Sequence, residues 1–105
     1  MNWKNEKKKN LVKSILALKN TKETQNFLRD LLTESEINEF SNRWQAAQML
    51  DKNIPYTQIV KETGLSSTTV ARISKWLNTG MGGYKLMLAR LADHHGRPSR
   101  GKGLS

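Results

Sequence analysis

The sequence contains no cysteine, which excludes a disulfide framework, a thiolate metal site and a cysteine nucleophile. Acidic side chains are scarce, nine against eighteen Lys and Arg, and they are scattered among helix caps and faces. No Ser/His/Asp constellation accompanies them, so an enzyme is not expected. The two histidines, His94 and His95, are adjacent, and only Asp93 lies near them. Adjacent residues do not share a helical face, so no metal site is expected either. No apolar run approaches the length that spans a bilayer, and no membrane association is expected. The basic start, Met1 to Lys9, leads into a short apolar stretch broken by Lys13 and Lys19 and lacks a cleavage pattern. It does not read as a signal peptide, and the expected location is the cytoplasm.

What is abundant is positive charge. A formal net charge of +9 on 105 residues favours anionic partners, nucleic acid before an anionic membrane surface. Length and composition fit a single helical domain over residues 1–95, followed by a basic tail, 96–105, that composition marks as disordered.

The stretch from Tyr56 to Leu77 organises the rest. Ile59 and Val60 give a first short helix its inner side, and Val70, Ile73 and Leu77 give a second its inner edge at helical spacing. Gly64 stands between them, where a helix end needs a left-handed residue. Ser66 and Ser67 offer hydroxyls to cap the second helix. Two helices joined by a tight glycine turn form a helix-turn-helix, over about 56–77, whose second helix reads a DNA major groove. The outward positions of that helix, Ser67, Thr68, Ala71, Arg72 and Lys75, include no carboxylate. An ordinary solvated face mixes both signs, whereas one that approaches phosphates and base edges excludes acids. Tyr56, Thr57 and Lys61 on the first helix, and Ser66 and Thr69 at the head of the second, complete the expected DNA-contact set.

Before this motif, the spacing predicts a helix over about Trp3 to Lys19, with Leu11, Ile15 and Leu18 on one stripe. Asn20 with Glu23 is a capping pair that opens a second helix carrying Phe27, Leu28, Leu31 and Leu32. Thr33-Glu34-Ser35-Glu36 is a capping box for a third. With Ile37, Phe40, Trp44, Ala47 and Leu50 inward, this third helix is expected to be the longest and most buried element, closing before Pro55. After the motif, Gly80-Met81-Gly82-Gly83 marks a turn. It lacks the Lys-Ser/Thr of a phosphate-binding P-loop and has no strand before it. A last helix runs from Tyr84 to His94, with Tyr84, Met87, Leu88 and Leu91 aligned. The expected fold is all-α, six helices and no sheet.

The Leu31-Leu32-Thr33-Glu34-Ser35-Glu36 start through Arg43, and then Gly64 through Arg72 to Leu77, resemble the tryptophan repressor family over roughly residues 10 to 93. Thr79-Gly80-Met81-Gly82-Gly83-Tyr84-Lys85 resembles more closely the uncharacterised tryptophan-repressor-like proteins of Gram-positive bacteria. The resemblance implies an intertwined helical homodimer whose two reading heads enter successive major grooves of a near-palindromic operator. It also implies a corepressor site, to which Thr33, Arg43 and Arg72 match. Two positions depart from the family pattern. The glycine that leaves room for the indole ring is Ile73 here, and the serine that contacts the corepressor's amino group is Trp76. A β-branched side chain fills that space, and Trp76 is large enough to occupy the cavity itself. Tryptophan is therefore not expected as a corepressor, no cofactor is expected, and any other small effector is open.

Double-stranded DNA and a second copy of the chain are the expected partners, with repression the expected outcome. The rival readings are a helix-turn-helix used as a protein-interaction module, and a nonspecific nucleic-acid binder. RNA is disfavoured by the few aromatics available for base stacking.

Overall fold

A computed structural model describes residues 1–95. It contains six helices and, among the described residues, no strand: α1 Glu6–Leu16, α2 Thr21–Leu31, α3 Glu34–Asp51, α4 Tyr56–Thr63, α5 Ser67–Thr79 and α6 Gly83–His95. The fold is all-α, as the periodicity indicates. The expected basic tail lies outside the described residues.

The chain groups into two units, residues 1–38 and Glu39 onward. In the first, each helix starts at a side-chain cap. Asn5 Oδ1 accepts the Lys8 N–H at 3.2 Å, so α1 begins at Glu6 rather than at Trp3. At α2, Asn20 Oδ1 accepts the Glu23 N–H at 2.9 Å while the Glu23 carboxylate accepts the Lys19 N–H at 3.0 Å. The Thr33 capping box forms reciprocally, with Glu36 N–H on Thr33 Oγ1 at 3.1 Å and Thr33 N–H on Glu36 Oε1 at 2.9 Å. Each pair satisfies donors that a helix start leaves open. These two N-terminal helices bury no residue fully. Leu11, Val12, Ile15 and Leu16 of α1 and Leu31 of α2 are exposed.

The core belongs to the second unit. Ile59, Val70 and Ile73 are its largest fully buried side chains, packed with Ala46, Ala47, Met49 and Leu65. Burying an aliphatic side chain of this size contributes about 1.5–3 kcal/mol. Helix α5 packs against α4 and against α6, so it is the central element of this unit. The expectation that α3 is the most buried helix needs correction. It is the longest, at 18 residues, but it buries three residues, Ala46, Ala47 and Met49, the same number as α5. Phe40 is 54% exposed, and Ile37, Trp44 and Leu50 are only half-buried. The small alanines, not the large apolar residues, let the core side chains approach α3 closely. In α6, Tyr84, Leu88 and Leu91 are half-buried while Met87 stays exposed.

Helix α3 ends in a left-handed residue, Asn53 at φ 61°. Ile54 N–H reaches Met49 O at 3.1 Å and Asn53 N–H reaches Leu50 O at 3.0 Å, the paired bonds of a Schellman termination. Pro55 then occupies the N-cap of α4.

Candidate nucleic-acid interface

The turn between α4 and α5 is locked from both sides. Gly64 adopts φ 75°, and its N–H donates to Val60 O at 2.9 Å, closing α4. Thr63, the buried polar residue of the core, donates its hydroxyl to Ile59 O at 2.7 Å and accepts the Leu65 N–H at 3.2 Å. A buried hydroxyl with both a donor and an acceptor partner carries no desolvation penalty left uncompensated. Leu65 then buries beside it.

Ser66 is the N-cap of α5. Its Oγ accepts the Thr69 N–H at 3.1 Å and donates to Thr69 Oγ1 at 3.0 Å. The N–H groups of Ser67 and Thr68 precede the first intrahelical bond and have no acceptor within α5. They open toward the positive end of the helix dipole, which suits a phosphate oxygen.

Ser67, Thr68, Ala71, Arg72 and Lys75 are all exposed, whereas Val70, Ile73 and Leu77 on the opposite side are buried. Among the described residues neither Arg72 nor Lys75 makes an ion pair, so both cations face solvent unneutralised. Tyr56, Thr57 and Lys61 are exposed on α4, and Glu62, the acid of that helix, is engaged by the Gln58 amide at 2.7 Å. Ser66 is exposed, but Thr69 is half-buried with its hydroxyl turned to Ser66. The structure places nine of the ten sequence-derived contact residues at an exposed surface of one helix pair, and the tenth, Thr69, is half-buried.

Two of the three corepressor-matching residues, Thr33 and Arg43, are otherwise engaged. The Thr33 side chain caps α3 within the first unit. Arg43 Nε, in the second unit, donates to Glu39 Oε2 at 3.1 Å. Ile73 is fully buried among Ala46, Ala47 and Ile59, so the position that would have to be empty for an indole is filled. Trp76 does not complete that filling: it remains 40% exposed. Successive residues turn about 100°, which puts Trp76 roughly 60° away from Ile73 around the helix, whereas Leu77 falls back on the inner line.

Known proteins resemble the chain over most of its length. The uncharacterised protein YerC of Bacillus subtilis is 37% identical over 83 residues, which are 79% of this chain and 80% of that protein. Among solved structures, a TrpR-like protein from Eubacterium eligens superposes with a TM-score of 0.81 at 34% identity, covering 86% of this chain and 93% of its own. A Staphylococcus aureus protein described as a candidate Trp repressor does so with a TM-score of 0.78 at 32% identity, over 87% and 94%. The family model for the Trp repressor protein, a DNA-binding regulator and not an enzyme, matches residues 6–92. With that match added to the six helices and to the capped, acid-free outer face of α5, the chain belongs to the Trp repressor family.

Proposed function

We propose that this chain is a sequence-specific double-stranded DNA-binding transcriptional regulator of the cytoplasm, acting as a repressor and as a homodimer. The observation that carries the reading is the outer face of α5, where Ser67, Thr68, Ala71, Arg72 and Lys75 are exposed together without an acid or an ion pair. In this reading, the α5 N-terminus and its hydroxyls hold a phosphate, and Lys75 and Lys61 add charge to the backbone contact. Arg72 reads a guanine through its forked guanidinium. Thr57 and Tyr56 fix the position of α4 on the duplex.

Dimerisation is supported by the first unit, whose helices leave Leu11, Val12, Ile15 and Leu16 exposed on one amphipathic helix. Residues 1–95 act as one domain in this proposal, with the two N-terminal helices completed by a second copy. Tryptophan is not the corepressor, because Ile73 occupies the space an indole requires.

Selection of genomic fragments by purified protein at about 150 mM salt, where nonspecific attraction is weakened, tests the proposal. The expected result is one near-palindromic motif with half-sites about one helical turn apart. Random fragments would overturn sequence specificity, and no recovery at all would favour a protein-interaction module. Reporter expression in cells lacking the protein decides the sign, a rise being expected. Sedimentation reads the dimer, which Ile15→Glu is expected to dissociate.

A further inference from the structure

Trp76 is the large apolar side chain that α5 presents to solvent: it is 40% exposed, whereas Val70, Ile73 and Leu77 are buried. Among the described residues it stacks on no other ring, and its indole N–H has no hydrogen-bond partner. An indole is apolar over its face and carries a donor at one edge, so it suits a surface that is apolar in one place and an acceptor in the next.

Its place on the helix is specific. At about 100° per residue, Trp76 stands about 40° from Arg72, about 100° from Lys75 and about 140° from Ala71. Thr68 and Lys75 mark the middle of the outward face, so Trp76 projects from its flank. A helix with its side chains is about 10–12 Å across and a DNA major groove about 12 Å wide, so a reading helix fills the groove. Side chains in the middle of the outward face meet base edges. Those about a quarter turn away meet the walls, which are deoxyribose and phosphate. The two flanks of α5 differ in kind. Ser74 and Asn78 on one side line a cavity shared with Asp51 and Lys85, whose opposite charges leave no net attraction for a phosphate. Trp76, on the other, follows the unpaired Arg72 by one turn, in a stretch, 63–92, that contains no Asp or Glu.

We infer that Trp76 is a further contact to the DNA backbone. Its ring lies against a deoxyribose of the groove wall, and its Nε1–H donates to a phosphate oxygen. The inference rests on the DNA reading above and extends it to a residue outside the sequence-derived contact set. An uncharged backbone contact has its own signature. It adds affinity on every sequence but displaces no counterion, so the salt dependence stays unchanged, unlike that of the Lys75 contact.

The chain carries three tryptophans, so the ¹⁵N-labelled full chain gives three indole N–H signals, and Trp76→Phe identifies its own by deleting it. A fragment recovered by the selection above should shift the Trp76 signal and slow its exchange with water. Trp76→Phe keeps an aromatic ring and loses the donor. It should weaken binding about tenfold, equally on the recovered fragment and on a random duplex, with an unchanged salt slope. An indole signal that the duplex leaves unmoved, or equal affinity of Trp76→Phe and the parent, would overturn the contact while the DNA reading stands. A loss confined to the recovered fragment would make Trp76 a base contact and overturn the backbone assignment. An indole that already exchanges slowly without DNA, and does not change on its addition, would place a second copy of the chain on this flank and overturn the contact too. A parent chain that binds no duplex would refute the DNA reading itself, and this contact with it.

Discussion

Trp44 of α3 and Tyr84 of α6 stack nearly parallel, with ring centroids 6.3 Å apart and an interplanar angle of 15°. Both rings are half-buried against the core that holds Ile59, Val70 and Ile73. The stack ties α3 to α6, which packs against α5, the element on which the proposed function depends. A double-mutant cycle with Trp44→Leu and Tyr84→Leu should return a coupling of about 0.5–1.5 kcal/mol in chemical denaturation. Additive losses would mean that the rings contribute only their buried area.

The Ser66 cap yields a second expectation. Ser66→Ala removes the acceptor of the Thr69 N–H and should cost about 0.5–2 kcal/mol of stability. The denaturation midpoint should fall with an unchanged slope. Ser66→Asp, which keeps an acceptor and adds favourable charge at the helix start, should recover most of the loss.

Two glycines should respond differently to alanine. Around Gly64 there is open space for a methyl group, so Gly64→Ala pays only the left-handed backbone penalty of about 1–2 kcal/mol. At Gly80 the φ is negative, but a Cβ would run into the backbone carbonyl oxygen of Trp76. That oxygen belongs to the last turn of α5 and accepts the Gly80 N–H at 2.9 Å, so relief requires opening the helix end. Thermal unfolding should show the larger loss for Gly80→Ala.

On DNA, Arg72→Ala should weaken specific binding by about 1–3 kcal/mol and relax preference at one base position. Equal loss on specific and random duplexes would make Arg72 a phosphate contact instead. Lys75→Ala should lower affinity on all sequences and flatten the dependence on salt. An unchanged salt slope would remove Lys75 from the interface.

Titration calorimetry with L-tryptophan should show no micromolar isotherm, because Ile73 fills the position where a ring would enter. Such an isotherm would overturn the assignment of Ile73 as a block. Ile73→Gly tests whether the space can be reopened. It should cost at least about 2–5 kcal/mol, the range for emptying a buried aliphatic site.

Local chemistry was readable from the chain alone because its causes lie within a few residues. Asn20, Thr33 and Ser66 cap helices through N–H groups three positions ahead. Gly64 ends α4 because the left-handed conformation costs glycine least. The alternation of Val70, Ile73 and Leu77 with Arg72 and Lys75 divides α5 into a buried and an exposed face. These same signals mark the helix-turn-helix and its acid-free surface. Tertiary packing decided the rest. Phe40 carries helical periodicity equal to that of Ala47, yet the first is exposed and the second buried, since burial depends on what packs opposite. Thr69 looks as open as its neighbours in the sequence, yet it is half-buried in the fold. Asp51 and Lys85 are 34 positions apart in the sequence, and no spacing rule relates them. Only the packing of α3, α5 and α6 brings those two charges to one cavity, because helix positions distant along the chain become neighbours through the core they share.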